Sequence, residues 1–90
     1  MEELNSMTLK FSSLSQNESF ARSVVAFFAL QLNPSVAQLS DIKTAVSEAV
    51  TNSIVHGYGG KGGKIILEAK ISGNKLDVVV TDFCVPGCIL

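Results

Sequence analysis

Alternating apolar and polar residues predict a strand near the start of the chain. Residues 7–13 read Met-Thr-Leu-Lys-Phe-Ser-Ser, which places Met7, Leu9 and Phe11 on one face. A period of two residues is typical of a strand with one buried face. We therefore expect the first element to be a half-buried strand over 7–13.

A helical pattern follows this strand. Apolar residues recur at intervals of three and four from residue 16 to residue 32, and Asn33-Pro34 then stops the pattern. Ser15 stands three residues before Glu18, which is the spacing of a capping box at a helix start. The sequence predicts a first helix over about 16–32, capped by Ser15.

A second apolar stripe begins at Leu39 and runs to Ile54, just before Gly57. Its period is again helical, and it predicts a second helix that ends near residue 56. Serine is a favoured N-cap residue because its hydroxyl accepts a hydrogen bond from a free backbone N–H. Ser35 and Ser40 are both candidates for this cap.

The remaining pattern predicts a loop and a hairpin. Glycines dominate residues 57–63, so this segment cannot continue a helix. Residues 64–71 and 75–81 are rich in β-branched residues and flank the turn signal Ser72-Gly73-Asn74. The order strand, helix, helix, strand, strand makes an α+β chain, and its 90 residues suit one small domain.

Charge and composition exclude several classes of function. A net charge of −1 provides no basic surface for nucleic acid. The longest apolar run, 24–30, is far shorter than the roughly 20 residues of a membrane span, and the acidic start is unlike a signal peptide. Two cysteines in a short chain fit a reducing compartment. We expect a cytoplasmic protein that contacts neither nucleic acid nor membrane directly.

Glu48, Asn52 and His56 are the candidates for chemistry on the second predicted helix. Because each step of four residues rotates by only about 40°, the three side chains form one polar stripe. A carboxylate and a carboxamide one turn apart can hold a hydrated Mg²⁺, and the carboxylate could take a proton during phosphoryl transfer. The spacing alone equally fits a solvated helix face, and His56 can bond terminal carbonyls beside Gly57.

The string Ser-Glu-Ala-Val-Thr-Asn-Ser-Ile-Val-His-Gly-Tyr at 47–58 resembles the N-box of the GHKL ATPase and kinase family, in its anti-sigma factor form. The resemblance extends upstream through 14–22 and 41–46. It implies an α+β fold, a two-layer α/β sandwich of the GHKL (histidine kinase-like ATPase) type in truncated form. Residues 1–90 would be a single domain, the N-terminal portion of the family's ATPase and kinase domain.

The resemblance also implies ATP and Mg²⁺ as cofactors. Asn52 matches the family's Mg²⁺-binding asparagine, and Glu48 matches the general base towards a phosphoacceptor serine. His56 would lie near the nucleotide, and Asp82 matches the aspartate that accepts a hydrogen bond from the adenine amino group. Taken by itself, Asp82 equally suits a turn at the end of a strand.

After Asp82 the sequence departs from the family's Asp-x-Gly-x-Gly box. Cys84 and Pro86 stand where the two glycines belong, and Gly87 comes one position late. Those glycines let the backbone approach the nucleotide, whereas proline fixes φ and removes an N–H donor. The chain ends at Leu90, before the ATP lid and phosphate loop of the family. We therefore expect little or no ATP binding by this chain.

Arg22 is the one cation of the first predicted helix. By resemblance, this helix and the first strand belong to the region through which the family dimerises and meets its sigma factor, which makes Arg22 a candidate partner contact. Otherwise it is a solvated edge residue whose stem packs on its neighbours.

The function implied by the resemblance is that of an anti-sigma factor and serine protein kinase. Such a protein binds a sporulation sigma factor, phosphorylates an anti-anti-sigma factor with ATP, and forms a homodimer. Two alternatives stay open. The chain could be a non-catalytic fragment that retains only a dimer or partner surface. It could instead belong to a sensor histidine kinase, whose ATP-binding domain shares the N-box.

Overall fold

The computed structural model of the chain describes residues 3–56 and 63–83, with side chains described for 5–55 and 63–81. The element order is the predicted strand, helix, helix, strand, strand. The strands are β1 (Glu3–Ser12), β2 (Lys64–Ser72) and β3 (Lys75–Phe83), and the helices are α1 (Gln16–Ala29) and α2 (Val36–His56). Within these residues, neither helix offers an apolar stretch able to cross a bilayer.

The three strands form an antiparallel sheet in the order β1-β2-β3. The predicted hairpin is confirmed: Ser72 pairs with Lys75, and Gly73 occupies the turn between them at φ +60°. Glycine adopts this left-handed conformation without a steric penalty. The central strand of the sheet is therefore β2, hydrogen-bonded on both sides.

One face of the sheet carries the hydrophobic core. Alternate residues of β2 are buried on it, and the predicted apolar face of β1 packs there, with Leu9 opposite Leu67 and Phe11 opposite Ile65. Both helices cover this same face. The core cluster consists of Phe11, Ala21, Val25, Val46, Val50, Ile65, Leu67 and Ala69. Burying each large aliphatic side chain contributes about 1.5–3 kcal/mol to folding.

The boundaries of the first two elements differ from the prediction. β1 begins at Glu3 instead of residue 7, because Glu3, Asn5 and Ser6 also pair with β2. The register shift between Glu3 and Asn5 interrupts the alternation there, so the hydrophobic pattern does not predict this part of the strand. The first helix ends as an α-helix at Ala29 and continues as a 3₁₀ turn over Leu30–Leu32. Asn33 closes it at φ 50°, a left-handed conformation that asparagine tolerates.

The two helix starts are capped differently. The predicted capping box at Ser15 is wrong, because its side chain makes no cap hydrogen bond and Glu18 is engaged elsewhere. At α2 the cap is Ser35 and not Ser40. Ser35 Oγ accepts from the Gln38 backbone N–H at 3.1 Å, while Gln38 Oε1 accepts from the Ser35 N–H at 2.9 Å. This reciprocal pair fixes where α2 begins.

Candidate functional site

The predicted polar stripe lies on the outer side of α2. Val46 and Val50 are buried against the core, whereas Glu48 and Asn52 are exposed. Two residues of helix rotate by about 200°, so the buried Val46 places Glu48 on the solvent side. The amphipathic packing of α2 is therefore what presents the carboxylate and the carboxamide outwards.

Glu48 and Asn52 line one shallow depression, together with Ser47 and Thr51. The depression offers a carboxylate, a carboxamide and two hydroxyls, which are oxygen ligands of the kind Mg²⁺ prefers. Over 3–56 and 63–83, no three His, Cys, Asp or Glu side chains gather into a cation cage. Mg²⁺ commonly binds one or two protein groups plus water and phosphate oxygens, and the donors present fit that mode.

The other two residues of the predicted nucleotide site are described only by their backbone. His56 is the last residue of α2, and Asp82 lies in β3, where it pairs with Ile65. Their side chains fall outside the described part of the chain, as do Cys84 and Pro86. The nucleotide roles of His56 and Asp82 therefore stay predictions.

A separate apolar groove runs between α2 and β3. Its lining is Ile42, Ala45, Val46, Ala49, Leu76, Val78 and Val80. Among the described residues, neither Glu48 nor Asn52 lines this groove. The polar depression and the groove beside β3 are thus built from different residues of α2, and the use of Glu48, Asn52 and Asp82 in one site stays a prediction.

Glu18 connects the two helices. Its Oε2 accepts a hydrogen bond from the Ser47 hydroxyl of α2 and lies 3.4 Å from Arg22 Nη1, one turn further along α1. Arg22 is the predicted partner contact, and its side chain is 38% exposed. An exposed pair at this spacing stabilises a helix by only about 0.3–0.5 kcal/mol, so it favours one position of the guanidinium and adds little to stability.

Arg22 and Glu48 line a common polar groove between α1 and α2. Lys43, Ser47 and three further hydroxyl residues complete its lining. The groove therefore offers two cations, four hydroxyl groups and the Glu48 carboxylate to a partner. The structure therefore brings the predicted partner residue and the predicted general base to the same surface.

Sequence reasoning missed Glu18 and Ser47 as members of this surface. The local pattern predicts that Glu18 caps a helix with Ser15, and it gives Ser47 no role beyond its place as the first residue of the N-box string. The two are 29 residues apart. A serine and a glutamate at that separation carry no local signal of contact, which arises only when α1 and α2 pack together.

A sequence model of the histidine kinase-like ATPase domain matches residues 11–88 of the chain. The chain is also similar to several curated anti-sigma F factors. It is 61% identical over 82 residues to the one from Thermoanaerobacter sp. (strain X514), which covers 91% of this chain and 57% of the relative.

Two further relatives show the same pattern. The anti-sigma F factor of Caldanaerobacter subterraneus subsp. tengcongensis is 58% identical over 82 residues, covering 91% of this chain and 57% of that protein. The one from Clostridium kluyveri is 58% identical over 78 residues, covering 87% and 55%. The chain therefore spans a little over half the length of these relatives.

Proposed function

The chain belongs to the histidine kinase-like ATPase domain family, and we propose that it is the sigma-factor-binding part of an anti-sigma factor that is also a serine protein kinase. The observation that carries this proposal is the 61% identity to an anti-sigma F factor over 82 residues. Arg22 and Glu48 on one groove support it. Because the chain spans 57% of that relative, the kinase activity is proposed for the whole protein.

Each residue of the α2 depression has a proposed role in that activity. Mg²⁺-bound ATP would supply the phosphoryl group. The Asn52 carboxamide oxygen would hold the metal, and the exposed Glu48 carboxylate would accept the proton of an acceptor serine. His56 would lie beside the nucleotide, and Asp82 would accept a hydrogen bond from adenine.

The proposed partners are a sporulation sigma factor, an anti-anti-sigma factor and a second copy of the chain. Arg22 is proposed as a contact, since arginine is enriched among the residues that dominate binding energy. Phe20 and Phe27 of α1 and Leu30 of the 3₁₀ turn after it expose apolar surface, which favours a protein-covered face. With these partners, the proposed location of the protein is the cytoplasm.

A second candidate function is partner binding without catalysis. Cys84 and Pro86 stand in place of two glycines that the family uses at its nucleotide, and this observation favours binding without catalysis for this chain. In this case the α1–α2 surface would still bind the sigma factor. Nucleotide and phosphoryl transfer would be lost.

Sigma-factor binding is the first expected result. The purified chain should bind the sigma F factor of the Thermoanaerobacter species in isothermal titration calorimetry. Arg22→Ala should weaken binding by about tenfold or more, the loss expected of an interface arginine. Lys70→Ala, which removes an exposed cation from β2, should leave the affinity unchanged. The proposal fails if the wild-type chain does not bind.

A nucleotide titration separates the two candidate functions. With Mg²⁺ present, the chain alone should bind ATP with a Kd above about 1 mM or show no heat. A chimera in which residues 1–82 continue into the C-terminal part of the Thermoanaerobacter relative should bind ATP, and Asn52→Ala should weaken that binding by about tenfold. Lys70→Ala, at an exposed residue of β2 away from the depression, is the control. Tight ATP binding by the chain alone would contradict the expectation drawn from Cys84 and Pro86.

A further inference from the structure

Ser47 uses its hydroxyl in an uncommon way for a helical serine. Such hydroxyls usually bond to a carbonyl one turn back in their own helix. The Ser47 hydroxyl instead donates to Glu18 Oε2 across the α1–α2 contact, and this bond is partly buried. The Ser47 side chain therefore links α2 to α1 and helps to determine how the two helices are placed relative to each other.

The buried contacts of α1 and α2 are apolar. Among the described side chains, the buried residues of the two helices are Ala21, Val25, Ala26, Ala29, Val46 and Val50. Hydrophobic attraction is non-directional, so it selects one arrangement through close packing alone. A hydrogen bond to a carboxylate is directional and charge-assisted, and thus more selective of one arrangement.

The same carboxylate oxygen also contacts Arg22. Glu18 Oε2 lies 3.4 Å from Arg22 Nη1, and only 20% of the Glu18 side chain is exposed. With Ser47 holding Glu18, the guanidinium is held at the wall of the interhelical groove that Glu48 also lines. Arginine carries five N–H donors, so donors remain for an acidic group of a partner.

We propose that Ser47 is a positioning residue for partner binding, which acts through Glu18 to hold the Arg22 guanidinium at the groove between α1 and α2. The inference rests on the proposed function, because it takes Arg22 as the contact to a sigma factor. It adds that Ser47, the N-box serine next to the proposed general base, determines where the Arg22 guanidinium lies for that contact. The partner group that fits the guanidinium is a carboxylate.

The first test measures the position of Arg22 in the chain alone. Arg22 is the single arginine of the sequence, so its Nε–Hε signal in a ¹⁵N spectrum is unambiguous. Its heteronuclear NOE should be high in the wild type and should fall in Ser47→Ala. Ser47→Thr, which keeps the hydroxyl, should retain it. Ser40→Ala, which removes another hydroxyl of the same groove, is the matched control. An unchanged NOE in Ser47→Ala overturns the proposal.

The second test is a double-mutant cycle on sigma-factor affinity. Ser47→Ala should weaken binding roughly threefold or more in the wild-type background and less than about twofold in Arg22→Ala, because the serine acts through the arginine. Equal losses in both backgrounds would show a merely structural role and overturn the proposal. If the wild type binds no sigma factor, the proposed function fails, and the arginine NOE still decides whether Ser47 positions Arg22.

Discussion

Replacing Leu67 by alanine should lower the free energy of unfolding by about 3 kcal/mol, within the range measured for fully buried leucines. Leu67 is fully buried in the central strand, where it pairs with Leu9 on one side and Val80 on the other. A small domain of this size has only about 5–10 kcal/mol of stability in total. Urea unfolding followed by far-UV circular dichroism should therefore show a midpoint shifted far towards zero denaturant.

Val79→Ala is the matched control for this loss. Val79 lies on β3 and is 54% exposed, so its methyl groups add little to the core. Its replacement should cost less than about 1 kcal/mol, mainly through strand propensity. If both variants lost the same stability, the face of the sheet covered by the helices would not be the core.

The sequence predicts correctly those parts of the fold that depend on the spacing of neighbouring residues along the chain. The alternation of Met7, Leu9 and Phe11 predicts the buried face of β1, and Gly73 predicts the turn between β2 and β3. Both follow from backbone geometry that neighbouring residues determine. The order of elements follows because glycine, proline or asparagine interrupts the patterns of both helices and of β2, while Ser13 and Ser15 separate the pattern of β1 from that of α1.

The parts that were missed depend on contacts between distant residues. Glu3, Asn5 and Ser6 extend β1 because they pair with the end of β2, and the register shift between Glu3 and Asn5 breaks the alternation that would reveal them. Ser15 and Glu18 have the spacing of a cap, but the Ser47 hydroxyl and Arg22 engage the Glu18 carboxylate. The capping-box spacing is a local rule, and here the tertiary contact between Glu18 and Ser47 overrides it, as tertiary contacts often override helix propensity.

The candidate site also has a part that the sequence predicts and a part that only the packed helices show. The spacing of Glu48 and Asn52 predicts a shared surface, and they line one depression. Their chemical roles came from the resemblance of the N-box string and not from spacing, since a solvated helix face has the same pattern. The connection of that depression to α1 through Ser47 required the packed helices.

The largest functional effect is expected at Glu48. In the chimera that carries the C-terminal part of the Thermoanaerobacter relative, Glu48→Gln should lower the rate of serine phosphorylation by about 10²–10⁴-fold, the contribution of a positioned general base. Glutamine keeps the shape and the exposure of the side chain but cannot accept the serine proton. The rate is followed as transfer of ³²P from ATP to an anti-anti-sigma factor, with the phosphorylated residue identified by mass spectrometry.

The choice of glutamine separates chemistry from binding. Because Asn52 and not Glu48 is proposed to hold the metal, affinity for Mg²⁺ and ATP should change by less than about threefold while the rate falls, which is the pattern of an interaction made in the transition state. Glu68→Gln, at an exposed glutamate on β2, should leave the rate unaltered. Phosphate on histidine would instead favour the sensor kinase alternative. An undiminished rate in Glu48→Gln would leave the α2 carboxylate without a catalytic role, since glutamine supplies neither the base nor the negative charge.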